Sequence, residues 1–276
     1  MNIIFQYMIT NEETEKRSPV PEYPQGTRSE LYRLTGDLSA KSFQIYSDKI
    51  GCKHHYSTKQ VFTKGKTGST ALLFECLRIV YDTMYDQFDK VAFIDSDIIC
   101  NTEENIFDQC GDYEVTGVFE SEIISDKGGG YNSWDYSDKI KKQLITKLER
   151  NGIPIVPTEP PYRPSSVLTF NTGVLVWTKE ARLKAREKFD DWYSYMADGD
   201  EHGDPFWINN DQPFISGQLT KHNFKIQSID QTWNDTPTHY RDDRGYESNF
   251  LHYTGGGNKV TMLDDYKKGK FKHLKP

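Results

Sequence analysis

The chain is expected to fold as an α/β protein around a mostly parallel sheet. Three observations carry this expectation. Short apolar runs alternate with segments of helical periodicity, the order that joins parallel strands through helices. The run Val91-Ala92-Phe93-Ile94 is wholly apolar, as in a strand buried on both faces. That run ends in Asp95-Ser96-Asp97, so its polar groups lie where such sheets hold ligands, outside the carboxyl ends of the strands.

Taken in order, Asn2–Tyr7 reads as the first strand, and residues 11–30, rich in Glu, Pro, Arg and Ser, as an irregular loop. Ser42–Ser47 reads as a second strand. A long helix is expected from Gly68 to about Phe88, with apolar residues at Leu72, Leu73, Cys76, Leu77, Ile79 and Val80. Val91–Ile94 and Tyr113–Phe119 are strands. A helix over about Ser137–Glu149 carries the stripe Ile140, Leu144, Ile145 and Leu148, and Asn151-Gly152 stops it. Prolines at 154, 157, 160, 161 and 164 make the next segment an extended loop. Val167–Thr178 is a strand interrupted by Asn171-Thr172-Gly173. Glu180–Met196 reads as one amphipathic helix, Asn209-Asn210-Asp211-Gln212 as the opening of a short one, and Phe224–Ile229 as the last strand. A lysine-rich tail follows from Lys267. No repeat or linker divides the chain, so 1–276 is read as a single domain.

The length of 276 residues suits one large α/β domain. Hydrophobic residues make up 36%, and 17 Tyr with 15 Phe supply large side chains for a core. The mean hydropathy of -0.75 describes a strongly polar surface. A net charge of -7 argues against nucleic acid as a partner, because phosphate backbones need basic faces. No apolar run reaches the roughly 20 residues of a membrane span. The start Met1-Asn2-Ile3-Ile4-Phe5 lacks the basic opening and long apolar centre of a signal peptide. Cys52, Cys76, Cys100 and Cys110 lack metal-finger spacing and are expected as reduced structural thiols, a single disulfide being the alternative. Together these features point to a cytoplasmic protein.

The chemistry begins at Asp95 and Asp97. On a strand, alternate residues share a face, so the two carboxylates can project together. Such charges repel unless a cation neutralises them, and a divalent metal is the usual one. Three further elements stand out: Asn171-Thr172-Gly173, Asp211-Gln212, and His252-Tyr253-Thr254-Gly255-Gly256-Gly257-Asn258-Lys259. Each alone is ordinary. An aspartate pair after a strand also suits a phosphohydrolase or phosphotransferase. Asn-Thr-Gly makes turns, Asp-Gln caps helices, and His-Tyr before glycines ends a strand.

In this order the four elements resemble retaining glycosyltransferases of the GT-A fold, above all family 8, which includes glycogenin and bacterial galactosyltransferases. Family 34 is nearly as similar. The resemblance runs from about Val91 to Lys259 and includes Asn105-Ile106-Phe107-Asp108 behind the aspartates. The general look of the chain also suggests a large DNA virus as its source. Two departures stand out. The family's Lys-Pro-Trp appears as Lys259-Val260-Thr261, and the gap from His252 to Lys259 is one residue longer.

The resemblance implies a GT-A fold, a mostly parallel central sheet of two abutting Rossmann-like halves with flanking helices. About 1–110 would be the nucleotide-binding half and about 111–276 the acceptor and sugar half. It implies transfer of a hexose from UDP-glucose or UDP-galactose to a hydroxyl of a glycan or glycoprotein acceptor. Asp97, Asp95 and His252 would hold Mn²⁺, with Mg²⁺ as the alternative, and the metal would bridge the diphosphate. Asp95 would also reach the ribose beside Ser96. Lys259 would place a point charge on the diphosphate, and Gly255 to Gly257 would let backbone amides approach it. Asn171 and Asp211 would bind sugar hydroxyls, with Gln212 or Asp211 beside the anomeric carbon. Gln212 is a poor nucleophile, which favours same-face attack over a covalent intermediate. Gln6 and Tyr7 would contact the base, packing of Tyr7 in the core being the alternative. Arg78 and Lys66 are further candidates for the nucleotide. The stretch Glu120–Arg163, with Trp134, together with His202 and Trp207, would face the acceptor. A non-catalytic sugar-nucleotide or glycan-binding protein is the other reading of these residues.

Overall fold

The computed structural model describes residues 1–10, 20, 23, 26–68, 70–120, 138–154 and 169–276. Its centre is a six-stranded sheet in the order β2-β1-β3-β6-β5-β7. The strands are β1 (Ile3–Tyr7), β2 (Lys53–Ser57), β3 (Lys90–Ile94), β5 (Val115–Phe119), β6 (Phe170–Thr178) and β7 (Ile226–Ser228). β1 pairs in parallel with β2 and β3, and β5 with β7; β6 alone runs against its neighbours β3 and β5. A two-stranded antiparallel ribbon, β4 (Ile98–Cys100) with β8 (Phe250–His252), stands beside the sheet.

Alternation along the central strands divides the core in two. Ile3, Phe5, Val91 and Phe93 face one side, and Ile4, Ala92 and Ile94 the other. Both faces are covered, as a mostly parallel sheet requires. A third cluster, with Leu38, Ile99, Leu251, Tyr253 and Met262, seals the ribbon against helices.

Several expectations change. Ser42–Ser47 is not a strand; it lies in α1 (Arg28–Ile50), which also takes in the end of the expected loop. Thr27 and Glu30 form a capping box at its start, and Gly51 ends it at φ 70°. Its buried face is built of Thr35, Ser39, Ser42 and Ser47 as well as Leu31, Phe43 and Tyr46, so the helical period is masked in polar letters. The expected helix Gly68–Phe88 is broken into a 3-10 turn over Ala71–Leu77, the short α2 (Arg78–Tyr81) and a second 3-10 turn. Asp82 makes the break: it is extended, and its carboxylate caps Met84.

The helix at 137–149 is present as α3 (Asp138–Arg150). The interruption expected at Asn171-Thr172-Gly173 is a register shift, since Gly117 pairs with Leu175 but Val118 with Asn171. Glu180–Met196 is two helices, α4 (Lys179–Lys188) and α5 (Trp192–His202), because Phe189 turns extended and Asp191 caps the second. Asn210 caps α6 (Asp211–Lys221) as expected. Phe224–Ile229 shortens to β7 and is not the last strand, for β8 follows. The glycines after His252 open α7 (Gly255–Lys267). The four cysteines are free. Among the described residues no helix is long and apolar enough to cross a membrane.

Candidate metal centre

The apolar strand β3 fixes where Asp95 begins. The Asp95 amide donates to the Gly173 carbonyl at 2.8 Å, tying the end of β3 to the shifted part of β6. Three residues after Asp95, β4 begins and pairs with β8, and Ile98 faces His252 in that register. The Tyr253 amide donates to the Asp97 carbonyl at 2.9 Å. The ribbon thereby sets His252 beside Asp97. Its Nε2 lies 3.2 Å from Asp97 Oδ1 and 3.9 Å from Asp95 Oδ2. Ligand atoms of Asp95, Asp97 and His252 all lie within 4.8 Å of one another. Two carboxylates and an imidazole in that span are a donor set that fits a divalent cation.

Gly173 explains the last letter of its motif. A Cβ there would lie 2.6 Å from His252 Cε1 and 3.1 Å from Asp95 Oδ2. Any side chain would push into the centre.

Lys259, in the second turn of α7, pairs with Asp97 Oδ2. Asp97 therefore offers Oδ1 towards the imidazole and Oδ2 to the ammonium. Burial pushes the Asp97 carboxyl up, but Lys259 and His252 outweigh it and hold it below the usual carboxylate range. Asp95 moves the opposite way. Its enclosure by the cleft walls, then the Asp97 charge, push it up to about 7, although 40% of its side chain still meets solvent. Burial works against charge on His252 and Lys259 as well, and the Asp97 carboxylate more than offsets it in both.

Beyond the carboxylates, Asn171 Nδ2 donates to Glu120 Oε1 at 2.7 Å, and Gln212 Nε2 donates to the same oxygen at 3.0 Å. Asn171 Oδ1 accepts from Asn234 Nδ2 at 2.8 Å, and Asn234 Oδ1 meets His252 Nδ1 at 2.7 Å. Asp211 Oδ2 accepts from the Thr172 hydroxyl at 2.8 Å and from the Cys76 thiol at 3.7 Å. Burial lifts Asp211 to about 6 against these bonds. In the sequence Asn234 carries no signal, and Glu120 is marked only as the start of the acceptor stretch. Glu120 stands one residue past an expected strand end, a weak signal; Asn234 lies in a turn with no motif around it.

The open cleft beside Asp95, Ser96, Asp97 and Lys259 is walled by Tyr7, Met8, Ile9, Tyr32, Leu72 and Leu73. Tyr7 donates its hydroxyl to the Leu73 carbonyl at 3.0 Å and stacks on Phe93. Gln6 is completely buried. Its amide nitrogen donates to Ser39 Oγ at 2.8 Å and to the Asp95 carbonyl at 3.2 Å, and its oxygen meets His54 Nε2 at 3.0 Å. Its side chain is a brace beneath Asp95 rather than part of the cleft wall. Tyr32, which the sequence did not flag, lies in that wall with Lys259 Nζ 5.1 Å from its ring centre. Gly255 opens α7 at φ 76°, and the capping residue Thr254 makes no side-chain cap bond, leaving first-turn amides uncapped by it.

Arg78 is buried, bonded to Asp82 at 3.0 Å and over the Phe5 ring, away from the cleft wall. Lys66 sits over the Tyr193 ring. His202 Nδ1 donates to the Asp198 carbonyl at 2.8 Å at the end of α5. Trp207 is 40% exposed on the loop before α6. Trp134, Gly128 to Gly130 and most of the segment Glu120–Arg163 lie outside the described residues.

No protein-family model and no curated protein matches the sequence. Solved structures do match the fold. A glycosyltransferase involved in the glycosylation of the major capsid of PBCV-1 is 13% identical, with a TM-score of 0.51 over 94% of this chain and 98% of that one. An active-site mutant of LgtC is also 13% identical, with a TM-score of 0.50 over 96% and 95%. The chain has the GT-A fold of these proteins, a mixed α/β architecture with a mostly parallel central sheet and flanking helices.

Proposed function

We propose that the chain is a metal-dependent, retaining glycosyltransferase that moves a hexose from UDP-glucose or UDP-galactose to a hydroxyl acceptor. One observation carries the reading. Asp95, Asp97, Asn171, Asp211, Gln212 and His252, spread over most of the chain, belong to one connected polar site at a cleft. The shared fold supports it. About 1–110 would bind the nucleotide and about 111–276 the sugar and acceptor, a glycan or glycoprotein. The free cysteines support a reducing, cytoplasmic setting.

Asp95, Asp97 and His252 would hold the cation, Mn²⁺ or Mg²⁺. A divalent ion there supplies Lewis-acid stabilisation of a diphosphate leaving group. Lys259 is placed to add a point charge on that diphosphate, and the uncapped first turn of α7, opened by Gly255, to donate amides to it. Ser96 and Tyr7, with Tyr32, line the nucleotide end; Gln6 contributes by holding the Asp95 backbone. Asn171 and Asp211 orient sugar hydroxyls. Gln212 is held by Glu120 and lacks a nucleophilic charge, so same-face attack is favoured. Asp211 then stabilises positive charge developing on the sugar ring, as carboxylates do in glycosidases.

The test is a panel of nucleotide sugars with and without Mn²⁺, read by thermal shift and by slow donor hydrolysis. The right donor raises the melting temperature by mass action. Asp97→Ala should abolish that metal-dependent shift while leaving the fold intact. A panel with no response, or an Asp97→Ala chain that binds the donor unchanged, overturns the reading.

A further inference from the structure

A hydrogen-bond chain behind His252 has a direction that can be worked out from its ends. The Gly173 amide donates to Asn171 Oδ1 at 3.0 Å, and a backbone N–H can only donate. The other end of that side chain, Nδ2, faces the Glu120 carboxyl at 2.7 Å. Asn171 therefore cannot be turned over, and its oxygen faces Asn234. Asn234 must then present its NH₂ group to Asn171, at 2.8 Å. Its own oxygen is left for His252 Nδ1, at 2.7 Å. Facing an amide oxygen, Nδ1 must carry a hydrogen. In the neutral ring Nε2 then keeps its lone pair, and Nε2 is the atom aimed between Asp95 and Asp97. All four residues are buried, so the arrangement is shielded from exchange with solvent.

We propose that Asn234 is a positioning residue of the metal centre: held by Asn171 and Glu120, it fixes His252 as the Nδ1–H tautomer with Nε2 directed at the cation. Partners of this kind orient metal-bound histidines and raise their basicity. Glu120 Oε1 also accepts from Gln212, so one carboxyl oxygen ties the imidazole to the sugar side of the cleft. This inference rests on the metal reading above.

The purified 276-residue chain is titrated with Mn²⁺ alone, beside Asn234→Leu, which keeps the branched outline and replaces the amide oxygen and nitrogen with methyl groups. Asn234→Leu should bind Mn²⁺ about 10- to 100-fold more weakly. In the metal-free unmodified chain, at a pH where the ring is neutral, ¹⁵N–¹H correlations should place the ring hydrogen of His252 on Nδ1. A folded Asn234→Leu chain with unchanged Mn²⁺ affinity overturns the role of Asn234 and leaves the metal reading standing. Absence of Mn²⁺ uptake by the unmodified chain overturns both. A hydrogen on Nε2 overturns the proposal whatever the variant does, including when Asn234→Leu fails to fold.

Discussion

Asp211 is a carboxylate that the fold holds at a cost. Burial raises it to about 6, above its unfolded value of 3.8. A group raised in this way contributes its full stability below the unfolded value and loses it as pH rises through the folded one. Asp211→Asn should thus stabilise the chain at pH 7 to 8 by on the order of 3 kcal/mol. The gain should vanish towards pH 4, as read by urea unfolding at both values. A variant less stable than the parent at pH 8 contradicts this. On the proposed function, the same variant should lose turnover, a trade between stability and activity common at such sites. Residues of this type were legible because their chemistry is carried by identity and order. The sequence marks Asp95, Asp97, Asn171, Asp211 and His252, and the structure gathers them. Gln6 is a polar letter in a strand, and its side chain satisfies buried backbone and side-chain partners, an arrangement that the letter alone does not record. Asn234 carries no signal in the sequence, and Glu120 only a place at the start of the acceptor stretch, because their hydrogen bonds run between distant elements, which no spacing records.

At the level of elements, the strands buried on both faces were the clearest. β1, β3 and β6 are runs of large apolar residues, and their positions agree with expectation. β2 was missed because Lys53-His54-His55-Tyr56-Ser57 is an edge strand with little apolar content. α1 was missed because serines and threonines line its buried side: Ser39 donates to the Ile98 carbonyl at 2.6 Å, and Ser42 accepts from the Cys100 amide at 3.2 Å. These bonds bind α1 to β4, so the helix supports the ribbon that carries His252. Its start depends on the reciprocal bonds of Thr27 and Glu30. Thr27→Ala should cost about 1 kcal/mol. The melting temperature would then fall by about 2–4 °C for a chain of this size. An unchanged melting temperature would mean that water replaces the cap without loss. α7 shows the opposite difficulty. Three glycines read as a loop because glycine is the poorest helix former after proline, yet at the first turn they keep the backbone bare beside the cleft.

For the whole molecule, the alternation of strands and helices was enough to anticipate the class and the dominant strand direction. The reversal of β6 was not visible, since parallel and antiparallel neighbours buried on both faces have the same composition. That reversal brings Gly173 to the end of β3, where it meets Asp95. A cation held by Asp95, Asp97 and His252 would therefore tie together the main sheet and the ribbon. Mn²⁺ at 100 times its dissociation constant should add about 2.7 kcal/mol to the stability. A rise of about 5–10 °C in melting temperature is expected, reversed by a chelator. A melting temperature indifferent to both would contradict the site. The pairing of β4 with β8 has one more consequence, in the timing of synthesis. Lys259 follows its partner Asp97 by 162 residues, and His252 comes only just before it. Domains tend to fold from the N-terminal side as they emerge from the ribosome. A nascent chain thus carries Asp95 and Asp97 through the synthesis of every strand from β4 to β7 before His252 is made. On the proposed function, such a chain could not hold the cation until β8 had been made and paired with β4.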